Sequence, residues 1–227
     1  MALSYSAVRG GWSGASSSAT SWGTTPAAGD RLLIFVNVGM GTPRTCSTPS
    51  GFSPVTGSPI EDSFGPALLR LYLFEKTAAG SDSAPTLSLS GSGIGNWITV
   101  VVQGDDPTIL ASDAHIDEDF GTTFDAGASL DTTGLTTYSF LLAGHEGAAK
   151  TFTPPTGWTE DIDGASPSFE NAVAMATDTT PGTSTVNPGN WTMSGGALAG
   201  GWHLLVQETG GGGATLRRYS LSTLGVG

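Results

Sequence analysis

The sequence predicts an all-β protein: an antiparallel β-sandwich or jelly roll built from two pseudo-repeats, with little helix. One set of strand and turn signals occurs twice, about 105 residues apart. The first copy runs Leu32-Leu33-Ile34-Phe35-Val36, Thr48-Pro49-Ser50-Gly51-Phe52, Leu69 to Phe74 and Trp97 to Gln103. The second keeps the order with Tyr138 to Leu142, Pro154-Pro155-Thr156-Gly157-Trp158, Ala172 to Met175 and Trp202 to Gln207. A shared structural unit explains the near-constant offset of the Pro-x-Gly-aromatic turn and the Trp-to-Gln strand better than composition does. Glycine, at 34 residues, is roughly twice its usual share, and it clusters with Ser, Thr and Pro between apolar runs, as turn chemistry requires. No long segment sustains the apolar spacing of a helix.

Taken in order, Leu3, Tyr5 and Ala7 alternate with Ser4 and Ser6, which predicts a short first strand. Gly10 to Gly29 reads as a Ser/Thr/Gly loop. Its Trp12 and Trp22 are expected to lie back on the sandwich edge, because an aromatic in a polar loop gains most by covering apolar surface. Leu32 to Val36 is apolar without a break and reads as a central strand covered on both faces. Leu69, Leu71 and Leu73 give the next strand one aliphatic face, as Ile98, Val100 and Val102 do for another, the pattern of a sheet packed on a sheet. Between them Leu87 and Leu89 mark a shorter strand, followed by a turn at Gly91 to Gly95. Ser166-Pro167 ahead of Phe169 to Ala176 carries a helix start signal. Its place in the repeat, opposite Leu69 to Phe74, instead predicts a strand over Asn171 to Thr177. Leu71, Val100, Leu141 and Leu204 are expected in the core.

These signals divide the chain into a first β unit, 1–104, an acidic connection, 105–134, a second unit, 135–209, and a terminal segment, 210–227. The connection holds eight acidic residues and no basic one between Gly104 and Asp131, and reads as a strand over Thr108 to Ala111 with the rest a solvated loop. In the terminal segment, Gly210 to Gly213 is a joint and Thr215 to Leu221 a further strand, whose Arg217 and Arg218 suit an edge or subunit-facing position.

Composition excludes several functions. The net charge is −12 with only eight Lys and Arg residues, which opposes nucleic-acid binding because a phosphate-binding face needs clustered cations. Low charge, at 12%, beside 38% hydrophobic residues describes a folding chain. Cys46 is the sole cysteine, so no intrachain disulfide forms, and it reads as a small loop residue between Thr45 and Ser47. Met1 to Tyr5 shows no secretion signal, and no run approaches a membrane span, so a soluble chain made in the cytoplasm is expected.

The candidate chemistry is sparse. His115, His145 and His203 are not spaced as metal ligands on one element. His203 follows Trp202 in a strand and is expected to face opposite it as a half-exposed sheet histidine, while His145-Glu146 is placed at a turn. No Gly-x-Ser-x-Gly elbow is present, although a Ser/His/Asp set assembles without regard to sequence order. The acids of 105–131 supply carboxylates but no rigid cleft for glycoside cleavage, and a bound calcium is their more credible use. The stretch His115 to Phe120 lacks the order of an EF-hand loop. Asn190-Trp191-Thr192 fits a glycosylation sequon, which is discounted for want of a secretion signal. No catalytic residue, cofactor or metal ligand is assigned.

One pattern is familiar. Gly29-Asp30 precedes an apolar strand; then come the Pro-x-Gly-aromatic turn, Leu71-Tyr72-Leu73-Phe74-Glu75-Lys76, Ser92-Gly93-Ile94-Gly95 before a Trp-bearing strand, and Gly104-Asp105-Asp106-Pro107. This order, over most of residues 29 to 208, resembles tailed-bacteriophage virion proteins described as minor tail or structural proteins, with paired β-rich repeats. In the second copy Ala174-Met175-Ala176-Thr177 lacks the aromatic of the third element, so the two halves are expected to make different contacts. The resemblance implies a virion surface protein of tail, fibre or capsid decoration that acts by assembly and adhesion and carries no catalytic residues. Its partners would be copies of itself, as a symmetric oligomer such as a trimer, and other virion proteins. Terminal strands Leu3 to Ala7 and Thr215 to Leu221 are the expected contacts. Trp12, Trp22, Trp158 and Trp191 are the candidate surface aromatics for solvent or host glycans. The rival reading is a carbohydrate-binding or carbohydrate-cleaving sandwich domain.

Overall fold

A computed structural model describes residues 3–39, 44–64, 67–117, 120–131, 137–148, 150–165, 171–179 and 185–208. The expected terminal strand and its glycine joint, the Ser166-Pro167 start signal, and Glu118 and Asp119 of the acidic stretch lie outside these residues. In chain order the strands begin β1 (Ser4–Ala19), β2 (Arg31–Gly39), β3 (Ser53–Pro54), β4 (Ile60–Phe64), β5 (Ala67–Thr77) and β6 (Thr86–Gln103). They continue with β7 (Pro107–Asp117), β8 (Thr123–Asp125), β9 (Leu130–Asp131), β10 (Thr137–Glu146) and β11 (Phe152–Thr153). The last are β12 (Thr159–Ala165), β13 (Asn171–Asp178), β14 (Thr185–Val186), β15 (Asn190–Met193) and β16 (Ala199–Glu208). No helix occurs among the described residues, and Asn171–Asp178 is a strand as its place in the repeat predicts.

Two antiparallel sheets form the body of an antiparallel β-sandwich. The first has the order β1-β6-β2-β5-β3, with β4 also on β5, and the second the order β12-β13-β10-β16-β7. Read from the other end, the second sheet repeats the first: β7, β16, β10, β13 and β12 take the places of β1, β6, β2, β5 and β4. The sheets pack face to face, with β6 across β13, β2 across β10 and β5 across β16, and with β1 near β12 and β4 near β7 at the two ends. This is the arrangement of a pseudo-two-fold axis passing between β2 and β10. The duplicated units therefore share one core, in which Leu33, Phe35, Leu71, Val100 and Ile98 of the first sheet meet Phe140, Leu142, Met175, Trp202 and Leu204 of the second.

The repeat is one of topology, and its register slips in one strand pair. Ile98, Val100 and Val102 point into the shared core from β6, whereas Trp202, Leu204 and Val206 do so from β16. The matched tryptophans therefore fall on opposite faces: Trp97 joins the outer cluster of the first sheet, and Trp202 lies edge-on to Phe35 in the core, 5.9 Å between ring centres. A shift of one residue is enough for this, because side chains alternate along a strand.

Both outer faces are covered as well, so the uninterrupted apolar run of β2 buries both its sides. Ile34, Val36 and Val38 lie under Trp12, Cys46, Leu87 and Leu89. On the second sheet the small sheet β11-β15-β8 lays Phe124, Phe152, Trp191 and Met193 over Leu141, Ala143 and the alanines 172, 174 and 176 of β13. Large rings sit on small residues, which lets the layers close without voids. The missing aromatic of the second copy is the space that this extra layer fills.

Three sequence expectations are corrected. Residues 10–19 are no loop: β1 continues through them, pairing Gly10 with Trp97 and Trp12 with Gly95. A Cβ on Gly10 would stand 2.2 Å from Trp97 Cζ2, and one on Gly95 2.3 Å from Trp12 Cζ2. Each indole lies over the glycine opposite, and these glycines make room for rings where turn chemistry was expected. β6 likewise runs through the expected turn at Gly91 to Gly95 as one strand from Thr86, with an irregularity where its pairing passes from Ala15–Gly93 to Ser17–Ser88, and Gly91 and Gly93 lie against the Arg44 side chain. The acidic stretch is more ordered than a solvated loop, since β7 extends to Asp117 and pairs with β16 along its length. β1 pairs with β6 within the chain, so one edge of the first strand is already occupied.

Leu71, Val100, Leu141 and Leu204 are each no more than 1% exposed. Replacing any one by Ala is expected to cost about 2–5 kcal/mol, the range for large-to-small changes in a core, as a lower urea midpoint. Gly95→Ala is expected to cost about 1–3 kcal/mol through overpacking against Trp12 and the Asn37 carbonyl; an unchanged midpoint there would show that the indole does not occupy the glycine's face.

Candidate functional site

The four candidate surface tryptophans divide. Trp12 is 5% exposed on Gly95, and Trp191 is 1% exposed, stacked on Phe124 at 6.4 Å and 9°. Neither is available to a ligand, because β1 presses the first onto the sheet and the alternation of β15 turns the second inward. Trp158 and Trp22 remain half-buried at the surface. Trp158 ends the second Pro-x-Gly-aromatic turn, closed by a 3.2 Å bond from its N–H to the Pro155 carbonyl with Gly157 at φ 94°. Its ring packs edge-on over His203, 5.8 Å away.

Trp22 occupies a more elaborate setting. The first Pro-x-Gly-aromatic turn, with Gly51 at φ 79°, places Phe52 near-parallel to the indole at 6.4 Å and 23°. Lys76 Nζ stands 5.7 Å from the Phe52 ring centre and forms an ion pair with Asp82. The Trp22 indole N–H donates to the Asp82 carbonyl at 3.0 Å, which closes a ring of four residues. The second carboxylate oxygen of Asp82 accepts the Ala79 and Gly80 N–H groups, and Lys76 holds this carboxyl below the usual aspartate range. Further bonds join the loops 20–30 and 78–85: Ser81 N–H to the Pro26 carbonyl, Thr20 N–H to that of Pro85, and Gly29 N–H to that of Ala78. Between the loops lies an open groove of about 600 Å³ lined by Trp22, Thr20, Ser21, Thr24, Thr25 and Ser81 among others.

His145 and His203 are buried, contrary to the half-exposed position expected for His203, while His115 on β7 is half-buried. His203 is held at both ring nitrogens. Its Nδ1 lies 2.9 Å from the Ala128 carbonyl, which only accepts, so Nδ1 carries the proton and Nε2 accepts from the Ser139 hydroxyl at 2.8 Å. A serine donating to a neutral histidine is the geometry of a general base and nucleophile. Here a carbonyl stands where a triad places a carboxylate, and both side chains are fully buried. Asp113 accepts the Ala128 N–H at 2.7 Å and so holds the segment that caps the ring. The pair ties that segment to the sheet. His145 lies inside β10, not at a turn; its Nε2 accepts the Lys150 N–H at 3.1 Å and its ring packs on Phe152. Burial pushes both histidines below their ordinary value of 6.5. It pushes the Cys46 thiol up to about 12, which leaves it uncharged and a poor nucleophile.

Among the described residues no three His, Cys, Asp or Glu side chains converge to hold a metal ion. No helix among them is long and apolar enough to cross a membrane. No protein-family model, curated protein or solved structure matches this chain.

The histidine burial has a pH consequence. The folded pKa of His203 lies below the unfolded value of 6.5, so the unfolded state takes up the proton first and stability is lost as pH falls below about 6.5. Buried Glu146 and half-buried Asp163 act in the opposite sense, because desolvation raises their carboxyl values. The histidine contribution is isolated by comparing His203→Gln with the parent protein in urea from neutral pH to about pH 5. The stability gap between them is expected to narrow on acidification; a constant gap would contradict a neutral His203.

Proposed function

We propose that the protein is a structural component of a tailed-bacteriophage virion, displayed on the particle surface and acting by assembly and adhesion, as minor tail, fibre or capsid-decoration protein. The observation that carries this reading is how the polar interior is used. Ser139, His203, His145, Asn37 and Asn96 all serve to tie sheets and loops together. Asn37 Nδ2 donates across the sandwich to the carbonyls of His145 and Ala172, each at 2.9 Å, and Asn96 Nδ2 donates to Asn171 Oδ1 at 2.6 Å. Such a framework holds a surface in place and leaves its contacts to edges and loops. The sheets end in long strands, β1 and β7, whose outward backbone groups suit strand addition by a neighbour. Leu110, 44% exposed on β7, adds apolar area beside that edge. The order of motifs along the chain, which resembles that of virion proteins, supports the same reading.

Location decides it. Antibody labelling of purified particles, with quantitative mass spectrometry of their proteins, is expected to find this chain at a repeated site on tail or head. Its absence from intact particles, while abundant in the lysate, would remove the virion assignment.

A further inference from the structure

We infer that the groove beside Trp22 binds an uncharged saccharide, which deepens the adhesion reading above and rests on it. A pyranose ring offers an apolar C–H face and a rim of hydroxyls. A binding site for it needs a fixed aromatic surface bordered by hydroxyl and carbonyl groups without net charge. The groove supplies each part. Its aromatic wall is the Trp22 indole, backed by Phe52 and fixed through its N–H to the Asp82 carbonyl. The exposed residues Ser21, Thr25, Ser81 and Ser83 place hydroxyl-bearing side chains along the rim.

Charge argues for a neutral ligand. Asp82 is the one ionisable residue in the lining, and its carboxylate is occupied by Lys76 and two backbone N–H groups. A cationic ligand would have to break that ion pair, and an anionic one would meet no free cation in the lining. Rigidity argues for a working site, because the bonds between the two loops order them before any ligand arrives, so little freedom is lost on binding. At about 600 Å³ the groove has the size of a small-ligand site, and being open along its length it suits a chain of sugars passing over it. The ring of Lys76, Asp82, Trp22 and Phe52 has a function on this account: it holds the indole at one angle.

The test is calorimetric titration of the full-length protein with maltohexaose, cellohexaose, hexa-N-acetylchitohexaose and mannohexaose, with a heparin hexasaccharide and sialyllactose as charged controls. At least one neutral oligosaccharide is expected to bind, and Trp22→Ala to weaken it by about tenfold or more. Because that substitution disturbs packing on Phe52, Ser83→Trp serves as a second variant, filling the groove from an exposed position; it should reduce binding equally with an unchanged melting temperature. Trp158→Ala should leave binding intact. The inference is overturned if no neutral oligosaccharide binds at about 10 mM, if the charged controls bind better, or if Ser83→Trp binds like the parent. Particle labelling is independent of these readouts, so a protein found on the virion that binds no saccharide refutes the groove alone. One that binds through Trp22 but is absent from particles refutes the virion assignment alone.

Discussion

Each sheet has an inner face that only the other sheet covers, and everything else in the molecule is arranged around that mutual burial. Leu33, Phe35 and Leu71 from one unit and Phe140, Met175 and Leu204 from the other form one cluster. Each such side chain contributes roughly 1.5–3 kcal/mol by leaving water, which makes this shared core the dominant stabilising term. Both units bring the same strand order to it, so β2 faces its own counterpart β10, while β5 and β6 face each other's counterparts, β16 and β13. Where the shared core gives out, buried carboxamides take over, and Asn37 and Asn96 bond directly to the opposite sheet. A hydrogen bond of this kind contributes modestly, but leaving its buried carbonyl partners unpaired costs more, so the pair fixes how one sheet sits on the other.

The inner faces were legible because alternation is a local signal. Leu69, Leu71 and Leu73, or Ile98, Val100 and Val102, identify a buried face without knowledge of what covers it. The strand over Asn171–Asp178 was legible only through the repeat, since its own residues carry a helix signal. What misled were residues whose meaning lies in a distant partner. Gly10 and Gly95 read as turn glycines until they are seen beneath Trp97 and Trp12. Trp191 reads as a loop aromatic until the small sheet folds it against Phe124 and Phe152. The one-residue slip that turns Trp202 inward and Trp97 outward is likewise invisible in a match of motifs.

The candidate site shows the same division. The Pro-x-Gly-aromatic turn was legible as a turn, and both copies form it. Its consequence, that Phe52 backs Trp22 while Trp158 covers His203, depends on a loop and a strand about 30 and 45 residues away in sequence and had no local signal. The Ser139–His203 pair was equally hidden, and burial gives it a structural role. The halves therefore put one turn to two uses: it supports an open groove on the first sheet and seals a polar contact on the second.

If one shared core is the basis of the fold, neither unit is stable alone. The direct measurement is to express residues 1–104 and 105–227 separately and follow each by amide NMR and thermal melting, then mix them. The account predicts that each fragment alone shows collapsed amide dispersion and no cooperative melt, and that mixing restores the dispersed spectrum of the intact chain. A fragment that melts cooperatively by itself, with a spectrum unchanged by adding the other, would contradict it.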